Sequence, residues 1–228
     1  PYLADHLLQG RAVFPGVMGL EAMAQAVTTL ADGTFSWRMS DIAFHRIVFV
    51  PQDGLRIRIA ALRADTQRVD AAVFTEEDDF QSPSLTARFE PAACAVTVSN
   101  SVPFDSDTAN EGNGAADDLY GPLFFQGRRF RRVQSLDFCT SRIVQVGLSP
   151  GAASDWFGSF EPAELVLGDP GTLDAALHAL QATLPHRQVL PVSIGDLVLT
   201  GRTTDACHLI GKENWADSPI YSFDITAL

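Results

Sequence analysis

The chain has 228 residues, 46% of them hydrophobic and 19% charged, and a formal net charge of −12. This composition fits a globular protein with a substantial core rather than a disordered chain, and the acidic balance argues against a nucleic-acid partner, whose recognition needs a basic face. No apolar run approaches the ~20 residues that cross a bilayer, and no basic-then-apolar leader is visible, so no membrane partner is expected.

In chain order, a helix is expected from about Gly16 to Ala31, with Pro15 just ahead of its first turn and Gly33 just after it. Strands follow near Ile42–Val50, Leu55–Ala64, Arg68–Thr75 and Leu85–Val98, several alternating apolar and polar residues as in Arg56-Ile57-Arg58-Ile59. Residues 99–118 are small, polar and acidic, the composition of a linker. Beyond them Phe124–Phe125, Phe130–Phe138 and Arg142–Leu148 read as extended. A second helix is expected from about Thr172 to Leu184, then strands near Val189–Thr200, Ala206–Ile210 and Ile220–Ile225. One buried helix against several antiparallel strands, stated twice, is an α+β arrangement. The expected division is an N-terminal half over 1–98, a linker over 99–118 and a C-terminal half over 119–228.

The two helices share a motif. Leu20-Glu21-Ala22-Met23-Ala24-Gln25-Ala26 reads against Leu173-Asp174-Ala175-Ala176-Leu177-His178-Ala179. Each copy sets a carboxylate after Leu and an amide or imidazole one turn later on the same face. Only the first copy has a histidine upstream, in the pattern His6-x-x-x-Gly10-x-x-x-x-Pro15. A duplicated scaffold with one histidine base, and a carboxylate from the other half, points to a single acid–base site.

Histidine suits general-base work because its ordinary pKa of ~6.5 lies near working pH. Gly16 and Val17 begin the first helix, where backbone N–H groups lack intrahelical acceptors and can stabilise a developing oxyanion. Asp174 lies in an otherwise apolar helix, where burial favours the protonated carboxyl that a general acid requires. His178, one turn on, can orient it. Glu21 has no histidine to face and is expected to keep only a structural hydrogen bond. Cys94, Cys139 and Cys207 form no C-x-x-C pair, which fits thiols in a reducing, cytosolic setting. No His/Cys spacing calls for a metal. The chain opens at Pro1-Tyr2-Leu3, close before His6, as expected of an excised piece or of a chain with residues unobserved ahead of it.

Phe14-Pro15-Gly16-Val17-Met18-Gly19-Leu20-Glu21-Ala22-Met23-Ala24-Gln25-Ala26 resembles the central helix of stand-alone β-hydroxyacyl-carrier-protein dehydratases. The His6–Gly10–Pro15 pattern, Tyr120-Gly121-Pro122-Leu123-Phe124, Asp174-x-x-x-His178 and Leu190-Pro191-Val192-Ser193, in that order, resemble the dehydratase domains of type I polyketide synthases. The helix is also similar to that of highly reducing iterative synthases, including those of enediyne and polyunsaturated-acid type. The family has further N-terminal strand sequence ahead of the histidine, which is not in this sequence.

The resemblance implies a double hot-dog fold and dehydration of a β-hydroxyacyl thioester. It implies a substrate carried on the phosphopantetheine of an acyl carrier protein, no other cofactor, neighbouring synthase domains and a homodimer. Tyr120 corresponds to a family tyrosine that lines the site and can hydrogen-bond the β-hydroxyl. Acyl carriers are usually acidic, so docking on a chain of net charge −12 needs a local basic patch. Gly127-Arg128-Arg129-Phe130-Arg131-Arg132 supplies one, and strand alternation would set Arg129 and Arg131 on one face as carrier or phosphate contacts. The competing reading of this run is a charged strand edge that discourages aggregation. Competing readings of the whole are a product-template-like cyclase, a hot-dog thioesterase and a catalytically silent structural module.

Overall fold

The computed structural model describes residues 1–31, 36–92, 114–150, 156–157, 165–199, 203–217 and 219–228. Most of the expected linker, residues 99–113, lies outside them, as does Cys94. The described elements are β1 (Leu7–Leu8), β2 (Arg11–Ala12), α1 (Gly16–Leu30), β3 (Trp37–Phe44), β4 (Ile57–Arg63), β5 (Val69–Thr75) and β6 (Pro83–Pro91). After these come β7 (Gly114–Ala115), β8 (Val133–Cys139), β9 (Ile143–Leu148), α2 (Pro170–His178), β10 (Ser193–Val198), β11 (His208–Asp217) and β12 (Ile220–Ala227). They form two compact units.

The first unit comprises Pro1–Val96, Asp155–Pro170 and Pro191–Arg202. Its antiparallel five-stranded sheet runs β10-β3-β6-β5-β4. Along β5, Val69, Ala71, Val73 and Thr75 are buried while the residues between them are half-buried, the period-two pattern of a sheet with one face on a core. Helix α1 packs on that face through Val17, Leu20, Met23, Ala24 and Val27, a stripe at helical spacing. Burying each larger member of the stripe is worth roughly 1.5–3 kcal/mol. Gly19 allows the close approach: a β-carbon there would come within 2.6 Å of the Leu85 side chain. The Trp37 indole N–H donates to Thr28 Oγ1 at 2.9 Å and ties the later turns of α1 to the start of β3.

At the far end of this sheet Arg46 donates to both carboxylate oxygens of Asp78, at 2.8 and 3.2 Å, and to Ser84 Oγ and Thr75 Oγ1. The guanidinium pulls the Asp78 carboxyl down from 3.8 to about 2. Because the folded pKa is the lower one, this stabilisation is complete above the ordinary pKa and is lost as pH falls from about 4 through about 2. In the Arg46→Ala variant, thermal melts recorded between pH 5 and 2 should therefore show a shallower fall of Tm with acid than the parent. Parallel curves would reject the pairing.

The second unit comprises Thr97–Ser154, Gly171–Leu190 and Thr203–Leu228. Its antiparallel sheet runs β12-β11-β9-β8-β7. Its core joins Val133, Val144, Val146, Leu148 and Leu209 of the strands to Ala175, Ala179 and Ala182 of the helical segment. The helix does not stay α throughout the expected span. After His178 it tightens into a 3₁₀ turn over Ala179–Thr183. There the Gln181 amide donates to Leu184 O (2.7 Å) and Arg187 O (2.6 Å) and accepts from Val189 N (2.9 Å), winding the chain out of the helix.

Several expectations need correction. The strand expected over Ile42–Val50 begins earlier, at Trp37, and ends at Phe44; of the remainder, Phe49 makes an isolated bridge to Val13. Arg128–Phe130 is a 3₁₀ turn, and β8 starts only at Val133. The expected boundary at 119 does not hold all that follows it in one half. Strand β10 pairs with β3 of the first sheet, from Ser193↔Ala43 to Val198↔Arg38. Arg38 fastens that pairing by donating to both carboxylate oxygens of Asp196, at 2.8 and 3.1 Å.

Candidate active site

In the first unit His6 sits at the base of the β1–β2 hairpin. Leu7 pairs with Ala12 and Leu8 with Arg11, leaving Gln9 and Gly10 as a two-residue loop. Both have positive φ, 50° and 77°, the geometry of a type I′ turn. Gly10 of the sequence motif is thus a turn residue that returns the chain to the histidine. Introducing a β-branched side chain there is strained. Gly10→Val should lower Tm, with stability recovering in Gly10→Asn; equal effects of Val and Asn would contradict the turn assignment.

The returning strand fixes the imidazole. Val13 N donates to His6 O at 3.0 Å, and the His6 Nδ1–H donates to Val13 O at 3.0 Å. With Nδ1 as the donor, Nε2 is the nitrogen that carries the lone pair of the neutral ring. The side chain is buried, with 5% of the residue exposed.

Two residues after Val13, Pro15 is the N-cap of α1, with φ −66° and ψ 133°, and no side chain caps that end. Met18 N and Gly19 N both reach Pro15 O, while Gly16 N and Val17 N lie ahead of the first intrahelical bond. Gly16 packs under Phe44, whose ring occupies the space a β-carbon would need.

In the second unit the Asp174–His178 pair forms as the i,i+4 spacing predicts: the His178 Nδ1–H donates to Asp174 Oδ2 at 2.9 Å. Both residues are buried, Asp174 being 6% exposed. On the other side of the ring, His178 Nε2 faces the Tyr120 hydroxyl at 3.4 Å. That hydroxyl accepts Val133 N–H at 3.0 Å, so its own proton is directed at Nε2. The ring of Phe124 tilts over His178, centroids 4.9 Å apart, and closes its face. Burial pushes the Tyr120 phenol up to about 12, so it remains a proton donor across the physiological range. Tyr120, His178 and Asp174 are therefore one hydrogen-bonded run, with the carboxyl at its end.

Arg129 and Arg131 do not lie on a strand. Arg129 is half-buried, and Gly171 at the start of α2 approaches its carbonyl so closely that a β-carbon would fall within 2.8 Å. Arg131 Nε donates to Gln126 O at 3.3 Å, and its guanidinium lies 5.0 Å from the centre of the Tyr120 ring. Arg128–Phe130 being a 3₁₀ turn, the expected placement of Arg129 and Arg131 on one strand face does not occur.

The roles of Val13, Val133 and Phe124 were not anticipated. Val13 and Val133 act through backbone atoms that carry no sequence signal, whereas Phe124 belongs to the Tyr120–Phe124 run already singled out. Among the described residues no group of three or more His, Cys, Asp or Glu could hold a metal ion. No helix there is long and apolar enough to cross a membrane.

Two antiparallel sheets, each with its own central helix, make this an α+β double hot-dog fold. The sequence matches the model of the polyketide synthase dehydratase domain over residues 1–76 and that of the polyketide synthase dehydratase N-terminal domain over residues 103–228. The chain belongs to the polyketide synthase dehydratase family. No curated protein matches it at a significant level.

Among solved structures, it is similar to the dehydratase domain of PpsC from Mycobacterium tuberculosis in complex with C12:1-CoA. The TM-score is 0.78 at 22% identity, over 99% of this chain and 82% of that one. A trans-AT polyketide synthase dehydratase domain from Brevibacillus brevis gives 0.79 at 18% identity, covering 100% and 84%. The dehydratase domain from the CurF module of the curacin polyketide synthase gives 0.76 at 16% identity, covering 100% and 82%.

Proposed function

We propose that this chain itself dehydrates a β-hydroxyacyl thioester to the α,β-unsaturated thioester, with the substrate delivered on the phosphopantetheine arm of an acyl carrier protein. The observation that carries the reading is the buried Tyr120–His178–Asp174 run, which brings a hydrogen-bonded imidazole onto a buried carboxyl. His6 Nε2 takes the α-proton, and the Gly16 N–H polarises the thioester carbonyl as charge develops on its oxygen. His178 orients Asp174 through Oδ2, and the carboxyl gives a proton to the departing β-hydroxyl. The C–O bond breaks, water leaves, and the electron pair from the α-carbon becomes the new double bond. Tyr120 acts through His178, keeping its ring in the tautomer that donates to Asp174. The step requires no cofactor beyond the carrier arm. The chain would work beside other synthase domains and as a homodimer.

The test is mass spectrometry of a β-hydroxyacyl carrier protein incubated with this domain. Loss of one water from the tethered acyl group, and hydration of the enoyl carrier in reverse, are expected. If the substrate remains intact and the enoyl form is not hydrated, the dehydratase reading is rejected in favour of a silent module or, where the acyl group cyclises without losing water, a cyclase.

A further inference from the structure

Glu21 is the counterpart of Asp174 in the repeated motif, yet among the described residues its hydrogen bonds come from an amide side chain and backbone N–H groups rather than from a histidine. Its carboxylate is almost completely buried, at 2% exposure, inside α1. Its Oε1 accepts from Gln25 Nε2 at 2.8 Å, the mirror of the Asp174–His178 pair. The same oxygen accepts Val166 N at 2.7 Å, and Oε2 accepts Leu167 N at 2.8 Å. A buried carboxylate is costly unless hydrogen-bonded, and three N–H donors meet that requirement here.

The arrangement matters equally for the other partner. Val166 and Leu167 lie in a segment with neither helix nor strand, so no ladder takes up these N–H groups. Directly after them Gly168 turns the chain at φ 86°, and Pro170 opens α2. Asp174 follows on that helix. A fixed pair of amides, a turn that favours glycine and a rigid helix thus lie in unbroken succession between Glu21 and the carboxyl.

We infer that Glu21 is a positioning residue: its carboxylate clamps the backbone of Val166 and Leu167 and so sets where α2, and with it Asp174, begins. The inference rests on the proposed role of Asp174. It gives the duplicated carboxylate a purpose of its own: one copy is turned to chemistry, the other to holding the segment that leads to the first. A merely structural hydrogen bond would stabilise the fold without altering turnover in the folded protein.

The test compares the parent with Glu21→Gln and Glu21→Asp, by turnover on a β-hydroxyacyl carrier protein and by hydrogen exchange over residues 165–170. The Gln variant keeps the volume but replaces one acceptor oxygen by an NH₂ group, which opposes a backbone N–H. At temperatures where it is folded, kcat should fall roughly ten- to a hundredfold with KM little changed, as a displaced catalytic group predicts. Exchange of the Val166 and Leu167 amides should rise in step. The shorter carboxylate of Asp should recover part of both, and it also covers the case in which Gln does not fold. Gly168→Ala, which strains the same turn without touching Glu21, should give the same kcat signature.

Faster exchange with unchanged kcat would reduce Glu21 to a fold contact and overturn the inference, as would a lower kcat with unchanged exchange. An inactive parent would instead defeat the dehydratase reading, while the exchange data would still report on the clamp.

Discussion

Replacing Asp174 by Asn is expected to abolish dehydration while leaving the fold intact. The amide fits the same volume in the buried site and can still accept the His178 Nδ1–H through its oxygen, so the run from Tyr120 to residue 174 survives. It has no proton of suitable acidity to give to a leaving hydroxyl. General-acid assistance of this kind contributes about 10²–10⁴-fold, and the loss in kcat should be of that size. Rates from single-turnover mass spectrometry, alongside a thermal melt within a few degrees of the parent, provide the check. Residual activity within tenfold of the parent would remove Asp174 from the chemistry.

His6→Phe should be equally damaging for a different reason. The aromatic ring fills the space of the imidazole, and the backbone bond from Val13 N to His6 O is retained, so the hairpin should persist. Two things are lost: the nitrogen proposed to accept the α-proton and the Nδ1–H that donates to Val13 O. The expected fall is again about 10²–10⁴-fold. Reverse hydration should fail in the same proportion, because the two directions share one transition state. A variant that loses the forward reaction but hydrates the enoyl carrier normally would contradict the assignment of His6 as base.

Contacts were legible where both partners lie in one short window. Asp174 and His178 are one helical turn apart, so the pair follows from spacing alone. His6, Gly10 and Pro15 form a compact unit because a two-residue turn returns the chain to the histidine. Helix α1 was legible from Pro15 ahead of it and Gly33 after it, β4 from the alternation in Arg56-Ile57-Arg58-Ile59, and β5 and β9 fall close to the expected extended segments.

What was missed is long-range or made by backbone. The Glu21 clamp joins residues 145 and 146 positions apart, with no periodic trace in either segment. The arginine run from 128 to 132 invited a strand reading because its residues alternate plausibly. Gly127 instead starts a 3₁₀ turn, and Arg131 lies over the Tyr120 ring rather than in a sheet. The Tyr120 hydroxyl was expected to be available to substrate, but the Val133 N–H and the His178 ring engage it from two sides, a pairing set by where β8 begins.

The pairing of β10 with β3 bears on how the molecule comes into being. The first sheet lacks an outer strand until residues 193–198 have been made, and the Glu21 carboxylate lacks its amide donors until 166 and 167 have emerged. While the intervening segment is being made, β3 therefore stands as an unpaired edge and Glu21 has only the Gln25 side chain as a donor. A cut between residues 98 and 119 would separate β3 from one partner strand and Glu21 from two of its three donors.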